Sequence, residues 1–224
     1  MAKEPKARRK RRTPLSRERV LRTALKLADE GGIQSLSMRK LAQQLGVEAM
    51  SLYNHVAGKD DIVDGILELV ANEMELPPEG VDWKAAIRQN AISAHGVLMR
   101  HRWSVGLWMS PREVSPARLR GGDAVLQTLR EAGFSEDLTY HAFHVVQAHV
   151  MGFTLYLQSL QFDATELEEL AANFLRAFPA DEYPYLAEHI RQHAEPSDER
   201  QGTFEFGLDL VLDGLEKLRA TAQA

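Results

Sequence analysis

The stretch Leu36-Ser37-Met38-Arg39-Lys40-Leu41-Ala42-Gln43-Gln44-Leu45-Gly46-Val47-Glu48-Ala49-Met50-Ser51-Leu52-Tyr53-Asn54-His55-Val56 decides how this chain is read. Leu41, Leu45, Val47, Leu52 and Val56 are spaced to pack two short helices against a third. Ser37 stands where a hydroxyl can cap the first of these helices. Ala42 is small where the two must cross, and Gly46 lies at the turn, where a left-handed residue ends a helix without a Cβ clash. Such an Ala-x-x-x-Gly corner lets its second helix enter a major groove. The second helix is expected to run from Ala49 to His55. It would present Met50, Ser51, Tyr53, Asn54 and His55, which can meet base edges, a thymine methyl or phosphate. Ser37, Arg39 and Lys40 open the supporting helix within reach of a base or phosphate. Lys59 stands at the start of a fourth helix, where an ammonium and a backbone amide together hold a phosphate. A helical corner alone is a common surface feature, so the reading rests on this exposed chemistry and on the charge around it.

That charge is divided unevenly. The formal net charge is −5, yet residues 1–60 carry +8 and residues 61–224 carry −13. A basic head on an acidic body directs one end of the molecule toward phosphate. Residues 1–14, with Lys6-Ala7-Arg8-Arg9-Lys10-Arg11-Arg12, read as a basic arm, disordered in the free protein and able to order on DNA. Residues 15–76 read as the helix-turn-helix domain. Ser16 caps its first helix, Val20, Leu21, Ala24, Leu25 and Ala28 form that helix's apolar face, and Gly31-Gly32 stops it. A fourth helix spans about 60–75.

Pro77-Pro78-Glu79-Gly80 breaks the helical pattern and separates head from body. The body, residues 82–220, reads as helices at about 82–101, 116–132, 135–160, 164–177, 183–193 and 202–220. Its breaks include Ser110-Pro111, Ser115-Pro116, Gly133 and Glu195-Pro196-Ser197. No alternating strand pattern appears, so the fold class is all-α: an N-terminal helix-turn-helix, three-helix DNA-binding domain followed by a C-terminal helical domain. The absence of cysteine excludes disulfides and thiolate zinc sites. No apolar run approaches the roughly 18 residues of a membrane span, and no apolar segment follows the basic N-terminus as in a secretory signal. A cytoplasmic protein is expected. There is no P-loop, no Gly-x-Gly-x-x-Gly and no Gly-x-Ser-x-Gly, so neither catalytic residues nor a cofactor are expected. His141 and His144 stand three apart, with His149 farther along. They suggest a metal-binding helical protein or enzyme as an alternative, but no His-Glu-x-x-His motif accompanies them and no metal site is expected. The other alternative is an architectural DNA binder that uses the arm without sequence preference.

The segment 36–47, continued by Ser51-Leu52-Tyr53-Asn54-His55-Val56 and Lys59, resembles the DNA-binding domain of TetR-family repressors, with Arg-Lys-Leu-Ala, Leu-Gly-Val and Leu-Tyr-x-His-Val in order and spacing. Trp83, Arg88, Asn90, Ala91, Gly133-Phe134-Ser135, Phe206-Gly207-Leu208 and Gly214-Leu215-Glu216-Lys217 are similar to the C-terminal domain of the tetracycline-repressor subgroup. The resemblance implies that the C-terminal helical body is a ligand-binding and dimerisation domain and that the protein is a dimer with a regulatory pocket in each body, and it places a drug-contacting asparagine at Asn90. The subgroup's metal-holding histidine does not appear; Trp108 and Glu75 are read at its two histidine positions. The expected effector is therefore a bulkier apolar or aromatic molecule rather than tetracycline–magnesium.

Two body helices are apolar on more than one side, and a helix of that kind must bury more than one side. In 202–220 these residues are Phe204, Leu208, Val211, Leu212, Leu215 and Leu218, flanked by Phe206 and Leu210. In 135–160 they include Phe143, Val145, Val146, Val150, Met151, Phe153, Leu155, Tyr156 and Leu157, with Ala148 and Gly152 allowing close approach. A homodimer through these two helices is expected, and with it a palindromic double-stranded operator. The candidate effector contacts are Asn90, His95, Met99, Trp103, Trp108, Val125, Leu129, His141, His144 and Tyr156, a mostly apolar set with a few orienting polar groups.

Overall fold

The computed structural model describes residues 14–110, 115–159, 164–194 and 203–222. The helices are α1 (Arg17–Gly31), α2 (Met38–Leu45), α3 (Ala49–Leu52), α4 (Lys59–Asn72), α5 (Trp83–Arg100), α6 (Ser104–Trp108), α7 (Pro116–Glu131), α8 (Glu136–Ser159), α9 (Ala164–Ala177), α10 (Pro184–Ala194) and α11 (Thr203–Ala222), with a 3-10 turn at Ile33–Ser35. No strand occurs among the described residues, and the all-α expectation holds. The basic arm, up to residue 13, and the break at 195–197 lie outside the described residues.

Local chemistry sets the helix starts. Ser16 accepts the Arg19 amide at 3.3 Å, Ser37 accepts the Lys40 amide at 3.2 Å, and Asp82 accepts the Lys84 amide at 2.9 Å. Each satisfies an N–H that the helix itself cannot. Pro116 opens α7, where its missing N–H costs nothing. Gly46 ends α2 at φ 67° and ψ 38°, the left-handed conformation the corner demands.

Helices α1 to α4 close around Val20, Ala24, Leu41, Leu52, Ile62 and Ile66, all without appreciable solvent contact. In the body, α5, α8 and α11 pack together around Ile87, Leu98, Ala142, Leu208 and Leu212, and α7 covers them with Val125 and Leu129. Gly207 lets α11 approach α8 closely, since a Cβ there would lie 2.6 Å from the His149 ring. Ion pairs Arg88–Asp209 (2.7 Å) and Lys84–Glu216 (2.9 Å) tie α5 to α11 along the rim. Helices α9 and α10 pack against one another.

The structure differs from the sequence reading in three places. Helix α3 stops at Leu52 rather than His55: the amides of Tyr53 and His55 bond three residues back, to Met50 and Leu52, and this tighter turn drops Val56 into the core. Helix α4 ends at Asn72 rather than near 75, because the Glu75 amide donates to the Ser93 hydroxyl on α5 at 2.9 Å. The segment after α5 forms α6, a short helix that the sequence reading treats as a connection.

α6 packs against head and body at once, beside the contact of α4 with α7. Trp103 and Leu107 pack on the head core, Val105 is buried in the body core, and Trp108 packs against both. A polar cluster reinforces the joint. Asp29 of α1 accepts the Trp103 indole N–H at 2.8 Å and pairs with the buried His101 at 2.7 Å, while the other His101 nitrogen meets Glu73 at 3.2 Å.

Candidate functional site

The outer face of α2 and α3 carries Arg39, Lys40, Met50, Tyr53 and Asn54, all exposed. Met50, at 75% exposure, is the more conspicuous because its neighbour Leu52 is completely buried. A large apolar side chain held out from a closed core suits contact with a thymine methyl. Ser51 and His55 are half-buried. Ser37 is committed to its capping bond, with its oxygen at the very start of α2. Lys59 is exposed at the first position of α4, beside the amides of that helix's first turn.

The short recognition segment is braced from behind. Arg17 donates to Asp61 Oδ2 at 2.8 Å and to the His55 carbonyl at 3.3 Å. Asp61 also accepts the Ala57 amide at 2.7 Å. The hydrogen bonds from Arg17 hold the Asp61 carboxyl at about 2, well below its ordinary 3.8. One carboxylate thus fixes the turn between α3 and α4 against the first turn of α1. The sequence reading did not single out this pair, which is 44 residues apart.

Below the head lies a cavity of about 370 Å³ enclosed by the end of α4 together with α5, α6, α7 and α8. Its wall is mainly apolar and includes Met74, Trp108, Val125, Phe143 and Met151. Polar groups are few. Asn90 lines it, but its amide nitrogen donates to the Glu75 carbonyl at 2.6 Å, and the Glu75 carboxylate accepts Gln89 at 2.9 Å. Arg118 lies over the Trp108 ring at 4.7 Å and donates to the Trp108 carbonyl at 2.9 Å. Burial pushes the Arg118 guanidinium below its ordinary value.

Of the ten effector-contact candidates, Asn90, Trp108 and Val125 line this cavity. The other seven stand elsewhere. His95 stacks on Phe204 at 4.0 Å and bonds the Thr154 hydroxyl at 2.8 Å, within the packing of α5, α8 and α11; burial lowers its pKa below 6.5. Leu129 is fully buried core, and Trp103 belongs to the joint. Met99 is half-buried near the end of α5, outside the cavity wall. His141, His144 and Tyr156 are exposed on α8, where His144 bonds its own helix at Tyr140. Helical spacing put these side chains on the right helices without telling which face met the cavity. Arg118, Met74 and Gln147, which do line it, were not named from sequence, because only the packing of α4, α7 and α8 brings them together. No cluster of metal-ligating side chains occurs among the described residues, nor is any described helix long and apolar enough to cross a membrane.

Two family models match the chain: bacterial regulatory proteins of the tetR family over residues 20–66, and the tetracyclin repressor-like C-terminal domain over residues 76–219. Tetracycline repressor protein class C of Escherichia coli is 31% identical over 211 residues, covering 92% of this chain and 93% of its own length. The HTH-type transcriptional repressor DrrR1 of Streptomyces coeruleorubidus is 30% identical over 216 residues, covering 92% of this chain and 79% of its own. Among solved structures, the Streptomyces coelicolor TetR family protein ActR in complex with actinorhodin aligns with a TM-score of 0.72 at 26% identity, covering 92% of this chain and 99% of that one.

Proposed function

The chain belongs to the TetR family of bacterial regulators, and from that premise we propose that it is a homodimeric repressor of a palindromic operator, released by a small apolar or aromatic effector. The observation that carries this reading is the shared residue Trp108, which lines the body cavity and packs on the head core at once. A molecule seated against Trp108 therefore touches the DNA-reading unit through a single side chain. A second link runs from the same wall: Ala117, in the first turn of α7, donates its amide to Glu68 of α4 at 3.0 Å. Displacing α6 or the start of α7 would move α4, and with it the angle of each head. The effect on operator affinity can be no larger than the effector's preference between the two arrangements. ActR, solved with actinorhodin bound, supports a ligand-binding body in this fold.

Residues 15–76 are assigned to DNA binding and residues 82–220 to effector binding and pairing. In the reader, Met50, Ser51 and Asn54 are assigned to bases, while Ser37, Arg39, Lys40, Tyr53, His55 and Lys59 anchor the phosphate backbone. The dimer face is assigned to α8 and α11. Val145, Ala148, Gly152 and Tyr156 form an exposed stripe on α8, and Phe206, Leu210 and Leu218 form one on α11. The small residues at 148 and 152 admit close helix approach. Two copies related by a twofold axis would bury these stripes against each other.

The test is an electrophoretic shift on inverted repeats beside the protein's own gene. Wild type is expected to bind one repeat tightly. Asn54→Ala should weaken that site about tenfold or more and relax its preference at one base position, with an unchanged melting curve, as loss of one base contact requires. Equal binding of Asn54→Ala and wild type to specific and scrambled DNA would sink the assignment.

A further inference from the structure

Among the described residues that line the cavity, one is a cation. Arg118 has no carboxylate partner among the described residues, although it is held in a mostly apolar wall. Its contacts are the face of the Trp108 indole and the Trp108 carbonyl, which together orient the guanidinium but do not neutralise it. Glu75, the acidic side chain of the lining, is exposed to water and accepts Gln89 rather than pairing with Arg118. Asn90 spends its amide nitrogen on the Glu75 carbonyl. Among the described polar side chains of the wall, a ligand can then meet Arg118, Gln147 and the amide oxygen of Asn90, and Arg118 is the cation of the three. A guanidinium offers five N–H donors in a planar fork, of which one here serves the Trp108 carbonyl. The remaining donors match the two oxygens of a carboxylate or a similar anion, and a desolvated cation rewards an anion more than a surface one does.

The rest of the wall specifies the remainder of the ligand. Trp108 and Phe143 offer ring faces and edges, and Met74 and Met151 offer polarisable sulfur that packs against aromatic rings. The volume of about 370 Å³ is enough for a fused-ring molecule and at the low end for ligand cavities. We infer that the effector is an aromatic acid, its rings lying among Trp108, Phe143, Met74 and Met151 and its anionic oxygens paired with Arg118. This rests on the reading of the cavity as the effector site. It adds the ligand's charge and names the residue that selects it.

Two probes of the same shape separate charge from packing: anthracene-2-carboxylate and anthracene-2-carboxamide, titrated calorimetrically into the full-length protein at pH 7.5. The acid is expected to bind at least about tenfold tighter than the amide, as a charge-assisted pair in place of a neutral contact implies. Arg118→Met, which keeps the packing on Trp108, should erase that preference by weakening the acid far more than the amide. Arg118→Lys should retain a preference for the acid. Equal binding of acid and amide to the wild type, no binding of either, or a preference that survives Arg118→Met would each overturn the assignment. Ala94→Trp, which fills the cavity, separates the two readings. If acid and amide bind equally but Ala94→Trp blocks both, the cavity stands and only the anion is wrong. If Ala94→Trp leaves the acid's affinity unchanged, the ligand sits elsewhere and the cavity reading falls too.

Discussion

The head and the body of this protein are built from the same kind of helix and finished to different degrees. The head closes its core completely: Val20, Leu41, Leu52, Ile62 and Ile66 are sealed by four short helices, and what it shows outside is mostly polar or basic. The body leaves two things open. Its core contains a cavity, and its outer helices α8 and α11 expose Tyr156, Phe206, Leu210 and Leu218 by half or more. A unit that must present one fixed surface to DNA gains from rigidity. A unit that must take up a ligand and a second copy of itself has to keep apolar surface available for both.

This contrast can be broken first at the outer face. Phe206→Glu combined with Leu210→Glu places two carboxylates on the exposed stripe of α11, and a twofold interface would count each twice. Self-association, followed by sedimentation velocity, should weaken more than about a hundredfold while the helical circular dichroism is unchanged. A double variant that still sediments as a dimer would mean that the pairing face lies elsewhere. In the head, Leu41→Ala opens a hole in a core with nowhere to collapse and should cost about 2–5 kcal/mol in urea unfolding. A loss below 1 kcal/mol would show the head to be more plastic than its closed packing implies.

The smallest effect belongs to the brace behind the reader. Arg17 is nearly half exposed, so solvent screens its pair with Asp61, and Asp61→Asn should destabilise the head by only about 1 kcal/mol at pH 7. The sign with pH is fixed by the depressed carboxyl. Its contribution is fully present above the ordinary 3.8 and disappears as the pH falls through about 2. Wild type and Asp61→Asn should therefore differ in unfolding free energy at pH 7 and converge on acidification over that window. A gap that stays constant down to pH 2 would assign the loss to packing instead.

Much of the head was legible because its signals are local. A cap at Ser37, a stop at Gly46 and apolar residues at 41, 45, 52 and 56 lie within 20 residues, and each acts through its own turn of helix. The end of α3 was misjudged because Asp61, a residue of the next helix, draws the Ala57 amide and tightens the turn. The cavity was far less legible. Three of ten candidates line it, and Arg118 was missed, since a cation on a helix surface looks the same in sequence whether it meets water or Trp108. The short α6 is not legible either: five residues between the end of α5 and Ser110-Pro111 carry no periodic signal, and it is held by neighbours in both cores rather than by its own propensity.

The order of residues alone gives the all-α fold, the helix-turn-helix with its outward Met50, Tyr53 and Asn54, and the two body helices with more apolar surface than one core can use. These follow from caps, stops and periodicity, which act over a few residues at a time. The packing of the helices is needed to see that Trp108 joins both cores, that Arg118 stands in the cavity wall without an acidic partner among the described residues, and that His95 belongs to packing rather than to the cavity. Those facts depend on which faces of distant helices meet. Helical period gives the angle between side chains on one helix and says nothing of the rotation of one helix against the next.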